Sequence, residues 1–460
     1  MRGFVIAAPA SGSGKTTVTL GIMAALARRG LRVAPFKIGP DFIDPGHHTR
    51  VTGVISRNLD GWMLSERYNR DCFERHTRGT DIAVAEGVMG LFDGYDGRTD
   101  AGSTAQMARW LGLPVLLVVN ARSMARSVAP LVQGFERFDP SLRFAGVLFN
   151  NIGSPNHLTY LKDALEGHVR MPCLGGILRD DRIAIPERHL GLVTQDEHPL
   201  SGQHTDRLVA MIENRMNLDA LLDGLPERPP ETGPPAPGIR TPSVRIGVAS
   251  DRAFCFYYQD NLDILEKNGA EIVRFSPLDA PALPERLDGL YFGGGYPELF
   301  ARQLAGNTAL RSRIKELSRA GMPIYGECGG FMYLCRELRD VEGTPHPMTG
   351  CFPMVTAMYP RLKSLGYRQV TQTRDSVLGP AGQQMRGHEF HYSEIISDSD
   401  GPATVYSVEK RIGNHRTAEG FSTARTLGSY VHLHFGSRPE VAGHFIKACQ
   451  AFQQERKSVS

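Results

Sequence analysis

The chain has 460 residues, of which 41% are hydrophobic and 22% are charged, a composition typical of globular proteins. Its 52 basic and 49 acidic side chains leave a net charge of +3, which predicts neither a nucleic-acid partner nor a membrane partner. Seven scattered cysteines argue against a disulfide framework and favour the reducing cytoplasm. The apolar stretches fall short of the ~20 residues of a membrane span. The first of them runs into a glycine-rich loop, which predicts a strand and not a signal peptide.

A proline-rich segment from Asp223 to Ser243 divides the sequence. It holds seven prolines and three glycines and shows no hydrophobic periodicity. This composition is typical of a semi-rigid linker, and the chain length favours more than one domain. We therefore predict a first domain over residues 1–222, a linker over 223–242 and a second domain over 243–460. The alternative is a long surface loop within a single domain.

Short runs rich in valine, isoleucine and leucine alternate with helical stretches on both sides of this segment. The first half carries the runs "GFVIAAP", "RVAPFKI", "DIAVAEG", "PVLLVVN" and "FAGVLFN". The second half carries "VRIGVAS", "EIVRFSP", "DGLYFGGG" and "MPIYGEC". Fully apolar strands separated by helices indicate parallel sheets covered on both faces. We therefore predict two α/β domains.

The stretch "APASGSGKTT" follows the first strand and opens the first helix. It matches the second half of a P-loop, although Pro9 stands in place of the usual first glycine. Backbone N–H groups of such a loop bind phosphate, while Lys15 reaches the β- and γ-phosphates and Thr16 binds Mg²⁺. The predicted ATP-binding residues of this stretch are Gly12, Ser13, Gly14, Lys15, Thr16 and Thr17. Asn150, the last residue of "FAGVLFN", is predicted to contact the nucleobase of ATP. For Asn150 the alternative is an ordinary turn asparagine.

Acidic residues follow the second and third apolar runs. They are Asp41 and Asp44 in "FKIGPDFIDPGHH" and Glu86, Asp93 and Asp96 in "EGVMGLFDGYDG". Ligands bind at the carboxyl ends of parallel strands, and Mg²⁺ prefers carboxylate and phosphate oxygens. Thr16, Asp41 and Glu86 come from three neighbouring strand ends, so we predict that they share one Mg²⁺ ion. The alternative is that these acids cap helices or hold turns.

In the second half, "PIYGECGGFMYL" places Cys328 between a strand and a helix. Flanking glycines permit a sharp turn that resembles the G-x-S-x-G nucleophile elbow, and a helix N-terminus favours the thiolate. The other cysteines are expected to be structural: Cys72, Cys173, Cys255, Cys335, Cys351 and Cys449. "LYFGGGYPE" offers backbone N–H groups at Gly294 and Gly295 for an oxyanion hole, with a plain glycine turn as the alternative.

Histidines occur in two further strand-like stretches. "LGSYVHLHFGS", from Leu427 to Ser437, is predicted to be one strand ending in a turn, with His432 and His434 on the same face. "RGHEFHYSE", from Arg386 to Glu394, carries two more histidines on a predicted strand. Whether that strand lines a substrate cleft is left open.

These motifs resemble known families. The second half, with "GECGG" and the distant "SYVHLHF", resembles the class I (triad) glutamine amidotransferases in their cobyric acid synthase-like branch. The first half resembles the dethiobiotin synthetase-like P-loop ATPases. In this order, and with "FKIGPDFIDPGHH" and "EGVMGLFDG", nearly the whole chain resembles the cobyrinic acid a,c-diamide synthase family. The resemblance implies a P-loop sheet with helices on both faces followed by a flavodoxin-like amidotransferase domain.

The resemblance also implies a reaction. ATP activates the a and c acetate carboxylates of cobyrinic acid as acyl phosphates, and ammonia released from L-glutamine converts each into an amide. Cys328 is implied as the nucleophile and His432 as its base. His434 stands where triad enzymes carry the glutamate of an H-x-E pair. A Cys–His dyad is therefore expected, with His434 or a carboxylate from elsewhere as the other ways of orienting His432.

By the same resemblance, Asp41 and Glu86 bind the metal, whereas Asp44 and Asp93 touch the corrinoid side chains or the acyl phosphate. The partners implied are glutamine and a corrinoid, and a homodimer is one expectation for an oligomeric state that the sequence leaves open. Alternatives within the same class are cobyric acid synthase and the diamidation of hydrogenobyrinic acid or nickel-sirohydrochlorin. A ParA-like regulatory ATPase is the alternative from another class, although Ala10 stands where the partition-type signature lysine would be.

Overall fold

The computed structural model describes residues 1–180, 183, 187–188, 191–192, 201–228, 241–396, 401–411 and 416–459. The chain separates into two compact units, Met1–Ala236 and Pro237–Ser460. Residues 229–240 of the predicted linker lie outside the described residues, so the proposed domain limits stay a prediction. Among the helices that the structure describes, none combines the length and the apolar character needed to cross a lipid bilayer.

The first unit is built on a parallel sheet with helices between its strands. Its strands are β1 (Arg2–Ala7), β2 (Val33–Ile38), β3 (Arg57–Leu59), β4 (Ile82–Gly87), β5 (Val115–Asn120), β6 (Phe144–Ile152), β7 (Cys173–Leu178), β8 (Glu187–Arg188) and β9 (Gly191–Leu192). Its helices are α1 (Lys15–Arg28), α2 (Asp44–Thr52), α3 (Glu66–Thr77), α4 (Thr104–Leu111), α5 (Val128–Phe138), α6 (Pro155–Leu165), α7 (Gly202–Arg215) and α8 (Leu218–Gly224). The main sheet has the order β3-β2-β4-β1-β5-β6-β7, and its pairs are parallel.

Both faces of this sheet are buried, because successive side chains of each strand point to opposite sides. In β1, Val5 and Ala7 join a hydrophobic cluster with residues of α3, α4 and α5. Phe4 and Ile6 join a second cluster with residues of α1 and α7. The continuous apolar runs of the sequence therefore correspond to strands covered on two sides. The strands β2, β4 and β1 are neighbours, so the loops that follow them meet at one edge of the sheet.

The second unit is a mixed α/β fold. Its strands are β10 (Val244–Ala249), β11 (Ala270–Phe275), β12 (Gly289–Phe292), β13 (Ile324–Glu327), β14 (Glu337–Arg339), β15 (Pro345–Pro347), β16 (Val355–Met358), β17 (Ser364–Gln372), β18 (Gln384–His391), β19 (Ser393–Ile395), β20 (Thr404–Lys410), β21 (Arg416–Thr423), β22 (Thr426–Ser429) and β23 (His432–Leu433). Its helices are α9 (Gln259–Lys267), α10 (Ala301–Gly306), α11 (Thr308–Arg319), α12 (Gly329–Leu334) and α13 (Glu440–Val459).

The large sheet of the second unit begins with five parallel strands in the order β11-β10-β12-β13-β22. Counted along the chain this is the order 2-1-3-4-5, which is the flavodoxin-like arrangement. The sheet continues through antiparallel strands as β21-β20-β17-β18-β23, and a separate sheet has the order β15-β14-β16-β19. The predicted class of two α/β domains is confirmed.

The prediction of a single strand through "LGSYVHLHFGS" is wrong. Strand β22 ends at Ser429 beside β13, and β23 pairs instead with β18. At this point the Glu419 carboxylate accepts hydrogen bonds from the Ser429 hydroxyl at 2.6 Å and from the Tyr430 N–H at 2.7 Å. His432 lies in β23, whereas His434 lies beyond it and begins a 3₁₀ turn. The two histidines therefore do not share one strand face.

Candidate active sites

The predicted P-loop connects β1 to α1 in the first unit. Gly14 begins the helix in the left-handed region, with φ of 84°, where a glycine avoids the strain of a side chain. A Cβ at Gly14 would also collide with the side-chain amide of Asn150, which donates a hydrogen bond to the Ser13 carbonyl at 3.0 Å. Asn150, which lies in β6, therefore stabilises the P-loop through this hydrogen bond. Its predicted contact with a nucleobase stays a prediction.

Lys15 lies between this loop and the turn after β4. Its Nζ donates to the Met89 carbonyl at 2.5 Å and to the Ala10 carbonyl at 3.4 Å. Burial lowers the pKa of the Lys15 ammonium. Met89 has φ of 51°, a left-handed conformation that is uncommon for a residue with a side chain. The ammonium that a P-loop directs at phosphates is therefore held by backbone carbonyls, and a phosphate would compete with them for it.

A cluster of charged side chains lies beside the start of α1. The Thr16 hydroxyl donates to Glu86 Oε1 at 2.7 Å and lies 3.4 Å from Asp44 Oδ2. Lys37, from β2, forms an ion pair with Asp44 and lies 3.2 Å from Glu86 Oε1. The structure thus brings together the ends of β1, β2 and β4, as the adjacency of these strands requires. A hydroxyl and two carboxylates form an oxygen donor set that suits a hard cation such as Mg²⁺.

Lys37 belongs to this cluster but was not predicted from the sequence. Burial alone lowers the pKa of Lys37, but the carboxylates of Asp44, Glu86 and Asp41 outweigh it and raise the pKa above its ordinary value. Burial likewise favours the neutral form of Glu86, but Lys37 and His48 lower the pKa of its carboxyl group to about 2. A lone lysine within the apolar run "RVAPFKI" was the available signal, since lysine is rarely buried without a partner.

His48 also holds Glu86 and was not predicted. Its Nε2 lies 2.7 Å from Glu86 Oε2, and its Nδ1 lies 3.3 Å from the Ser56 hydroxyl. The imidazole is fully buried. Glu86 is therefore fixed at both oxygens, by Thr16 on one side and by His48 on the other.

Asp41 and Asp44 differ in their contacts, and their predicted roles stay a prediction. Asp41 Oδ1 accepts hydrogen bonds from the N–H groups of Ile43 at 2.8 Å and Asp44 at 3.0 Å, and its Oδ2 lies 3.8 Å from Lys37 Nζ. Asp41 therefore holds the turn into α2, and burial together with the charge of Asp44 raises the pKa of its carboxyl group. Asp44 is the acid of this pair that the structure places beside Thr16.

Three more residues that the sequence singled out belong to the first unit: Thr17, Asp93 and Asp96. Thr17 is half-buried on α1. Asp93 is exposed and accepts a hydrogen bond from the Gly90 N–H at 2.8 Å. Asp96 accepts from the N–H groups of Arg98 and Thr99, which is the turn-holding role given above as the alternative. Asp93 is therefore the acid of this turn that we keep as a candidate for contact with a substrate.

Cys328 forms a strand–helix elbow in the second unit. It follows β13, precedes α12 and has φ of 47°, a conformation that only a constrained site imposes on a non-glycine residue. Its N–H donates to the Ser429 carbonyl at 2.7 Å, which ties the elbow to β22. Burial, assisted by the charge of Glu298, raises the pKa of the thiol above its ordinary value. The thiol therefore needs a base to become a nucleophile.

His432 and Cys328 border the same glycine turn. A Cβ at Gly294 would collide with Cε1 of His432, and Gly295 N lies 3.1 Å from the position that a Cβ of Gly329 would take. The His432 ring stacks on His388 with centroids 5.0 Å apart. Burial, assisted by His391, lowers the pKa of His432 to about 3, so the imidazole is neutral and able to accept a proton.

The glycine turn differs in one respect from its predicted role. Gly294 already donates its N–H to the Phe256 carbonyl at 3.2 Å, and Gly293 donates to the Tyr257 hydroxyl at 2.8 Å. Gly294 therefore serves mainly to leave room for the His432 ring. Gly295 borders the elbow and stays the predicted oxyanion donor.

Comparison with known proteins places both sites in one family. A family model described as the CobQ/CobB/MinD/ParA nucleotide binding domain matches residues 4–193, and a model described as the CobB/CobQ-like glutamine amidotransferase domain matches residues 245–440. A cobyrinate a,c-diamide synthase of Syntrophotalea carbinolica is 47% identical over 455 residues, which are 97% of this chain and 98% of that protein.

The chain belongs to the cobyrinate a,c-diamide synthase family.

Two further members of the cobyrinate a,c-diamide synthase family show the same breadth of similarity. The enzyme of Methanosarcina acetivorans is 42% identical and covers 98% of this chain and 96% of its own length. The enzyme of Salmonella typhimurium is 42% identical and covers 97% of this chain and 98% of its own length. The predicted order of a nucleotide-binding domain and a glutamine amidotransferase domain is confirmed, and so is the enzyme class, a glutamine-dependent, ATP-using amidoligase.

In sequence, His434 occupies the position that the glutamate of the H-x-E pair holds in class I amidotransferases, but its ring contacts the turn that follows it. Its Nδ1 accepts a hydrogen bond from the Gly436 N–H at 3.1 Å, and its ring lies 4.5 Å from that of Tyr258. Burial lowers its pKa to about 4. His434 therefore contacts the 3₁₀ turn and Tyr258, the residue that precedes α9.

We expect His432→Ala to lower the rate of glutamine hydrolysis by about a hundredfold or more, because general-base catalysis contributes on this scale. His434→Ala is expected to cost much less, since that ring is held by its own turn. Steady-state release of glutamate by the two variants checks this. A larger loss in His434→Ala than in His432→Ala would identify the other histidine as the base.

Proposed function

We propose that this protein is a cobyrinate a,c-diamide synthase, which uses ATP and glutamine to amidate the a and c acetate carboxylates of cobyrinic acid. The observation that carries the proposal is that one chain holds both half-sites. The first unit has a P-loop lysine and an acid cluster, and the second has a strained cysteine elbow beside a neutral histidine. Neither half-site alone performs the whole reaction.

In the glutaminase half, we infer that His432 takes the proton of the Cys328 thiol. The thiolate attacks the side-chain amide carbon of glutamine, and a tetrahedral oxyanion forms beside the Gly295 N–H. His432 then gives its proton to the leaving nitrogen, so that ammonia departs and a glutamyl thioester remains. Water cleaves the thioester, glutamate leaves and the thiol is restored.

In the synthetase half, a substrate carboxylate attacks the γ-phosphorus of ATP, and ADP leaves. The reaction gains from this activation because a free carboxylate is a poor acyl donor, whereas the phosphate of an acyl phosphate is a good leaving group. Ammonia attacks the acyl phosphate, phosphate departs and the amide remains. Lys15 and Lys37 are placed to balance negative charge in this step, since both ammonium groups lie within the cluster at the strand ends.

The residues of this cluster fit Mg²⁺. Thr16, Asp44 and Glu86 would hold it through a hydroxyl and two carboxylates, and Lys37 and His48 would orient the carboxylates. When bound, Mg²⁺ neutralises charge on the β- and γ-phosphates. Asp93, which is exposed, is proposed to face the corrinoid side chains.

A cytoplasmic location and a homodimer complete the proposal. The seven cysteines are scattered along the sequence without the spacing of a disulfide framework, which suits a reducing compartment. The homodimer rests on the sequence analysis alone, and sedimentation of the purified protein tests it.

The substrate is tested by incubating the purified protein with ATP, glutamine and, in separate reactions, cobyrinic acid, hydrogenobyrinic acid or nickel-sirohydrochlorin. Mass spectrometry follows the conversion of two carboxylates into two amides. We expect diamidation of cobyrinic acid. Faster conversion of one of the other macrocycles would assign the protein to that substrate, and ATP turnover that only a protein partner stimulates would contradict an amidoligase.

A further inference from the structure

A buried glutamate directly precedes the cysteine elbow. Glu327 is the last residue of β13 and is 1% exposed. Its Oε1 accepts hydrogen bonds from the Tyr325 hydroxyl at 2.7 Å and from the Leu433 N–H at 3.0 Å. Its Oε2 accepts from the Tyr291 hydroxyl at 3.0 Å and lies 4.0 Å from Nδ1 of His432. Glu327 thus presents Oε2 to the imidazole of His432 and, with Oε1, holds the backbone of Leu433, which follows His432.

The proposed mechanism needs a negative charge at this place. When His432 accepts the thiol proton, a buried imidazole becomes a cation, which burial disfavours. A carboxylate within about 4–6 Å favours the cation and offsets this cost. The residue that occupies the triad position in sequence, His434, already accepts a hydrogen bond from its own turn.

We propose that Glu327 is the positioning residue of His432: its carboxylate orients the imidazole and stabilises the protonated form during proton transfer. The inference rests on the proposed glutaminase function. It makes the site a triad whose acid precedes the nucleophile in the chain, in place of the expected dyad. Glu327 acts through His432 and does not touch the substrate.

Several titratable groups surround this pair, and they differ in the pH range where they change charge. The groups that interact electrostatically with Glu327 are Tyr257, Tyr291, Tyr325, Tyr406, Cys328 and His432. The groups that interact with His432 are Glu327, His388 and His391. Burial raises the pKa of the four tyrosines and the thiol and lowers the pKa of the histidines. Burial raises the pKa of Glu327 to about 7, so this carboxyl group is ionised above that pH.

Glu419 provides the matched control. Burial also raises its pKa to about 7. Its carboxylate accepts hydrogen bonds from the Ser429 hydroxyl and the Tyr430 N–H, and not from the tyrosines beside Glu327. Glu327→Gln and Glu419→Gln each replace a carboxylate by an amide of nearly the same shape. Only the first removes the charge beside His432.

The experiment is the pH dependence of kcat/KM for glutamine hydrolysis by the full chain, between about pH 5 and about pH 9. We expect the wild-type profile to rise through about pH 7 as Glu327 ionises. Glu327→Gln should lose this rise and lower kcat by about a hundredfold, with little change in KM. Glu327→Asp should recover part of the rate and the rise, and Glu419→Gln should keep the rise. An unchanged profile in Glu327→Gln, or its loss in Glu419→Gln alone, would overturn the proposal.

Alkylation of Cys328 by iodoacetamide separates this inference from the proposed function, because it needs no glutamine turnover. We expect the pH at which wild-type alkylation becomes fast to shift in Glu327→Gln and to stay in place in Glu419→Gln. Alkylation profiles that coincide for wild type and Glu327→Gln would overturn the role of Glu327. Absence of glutamine hydrolysis by the wild-type protein would instead contradict the proposed function. Circular dichroism and urea unfolding of Glu327→Gln, compared with wild type, report that the variant is folded.

Discussion

Cys328→Ser is expected to abolish glutamine-dependent amidation and to leave ammonia-dependent amidation at its wild-type rate. A serine hydroxyl is a far weaker nucleophile than a thiolate at neutral pH, so glutamine hydrolysis should fall by at least about a thousandfold. The ATP-dependent step uses residues of the first unit, among them Lys15 and Glu86, which this substitution does not alter. Ammonia supplied as ammonium salt therefore replaces the missing glutaminase product.

The measurement compares amide formation with glutamine and with ammonium chloride as the nitrogen source. Cys351→Ser is the matched control, since Cys351 is a free, half-buried thiol in the same unit and lies outside the elbow. The control should retain both activities. Loss of both activities in a folded Cys328→Ser protein would contradict the division of labour between the two half-sites.

Glu86→Gln is expected to lower amidation by about a hundredfold or more with either nitrogen source, while a basal glutaminase activity remains. The substitution removes the charge that pairs with Lys37 and His48 and that receives the Thr16 hydroxyl. Removing one partner of a buried ion pair leaves an uncompensated charge, at a cost of about 3–5 kcal/mol in the free energy of unfolding. Amidation kinetics and urea unfolding of the same variant check the two effects.

Asp139→Asn controls for the loss of an acid elsewhere in the first unit. Asp139 forms an ion pair with Arg109. It precedes β6 and therefore lies near the amino ends of the parallel strands, whereas the P-loop lies at their carboxyl ends. The Asp139→Asn variant should keep amidation with both nitrogen sources. Unchanged amidation kinetics in Glu86→Gln would show that this carboxylate has no role in the synthetase site.

The features that local sequence determines were predictable. The P-loop and the cysteine elbow each depend on glycines at fixed positions between a strand and a helix, so their residues identify them without knowledge of the fold. The parallel strands were equally evident, because continuous apolar runs suit strands buried on both faces. The family resemblance added the reaction, which no spacing of residues could supply.

The residues that sequence analysis overlooked owe their places to strands that are adjacent in space and distant in the chain. Lys37 meets Glu86 because β2 and β4 pair side by side. Glu327 meets His432 because the chain leaves β22 at Ser429, crosses over and pairs with β18. The Glu419 side chain contacts the chain at that crossing, and no periodicity reveals such a contact. For the same reason one predicted strand proved to be two.

The measurement that tests the central claim most directly is the stoichiometry of the complete reaction. Purified protein is incubated with ATP, glutamine carrying ¹⁵N in its side-chain amide, and cobyrinic acid, and ADP, glutamate and corrinoid amides are quantified together. The account predicts one ADP and one glutamate for each amide formed, with ¹⁵N in both amides of the product. ATP or glutamine consumption without label in the macrocycle would contradict it.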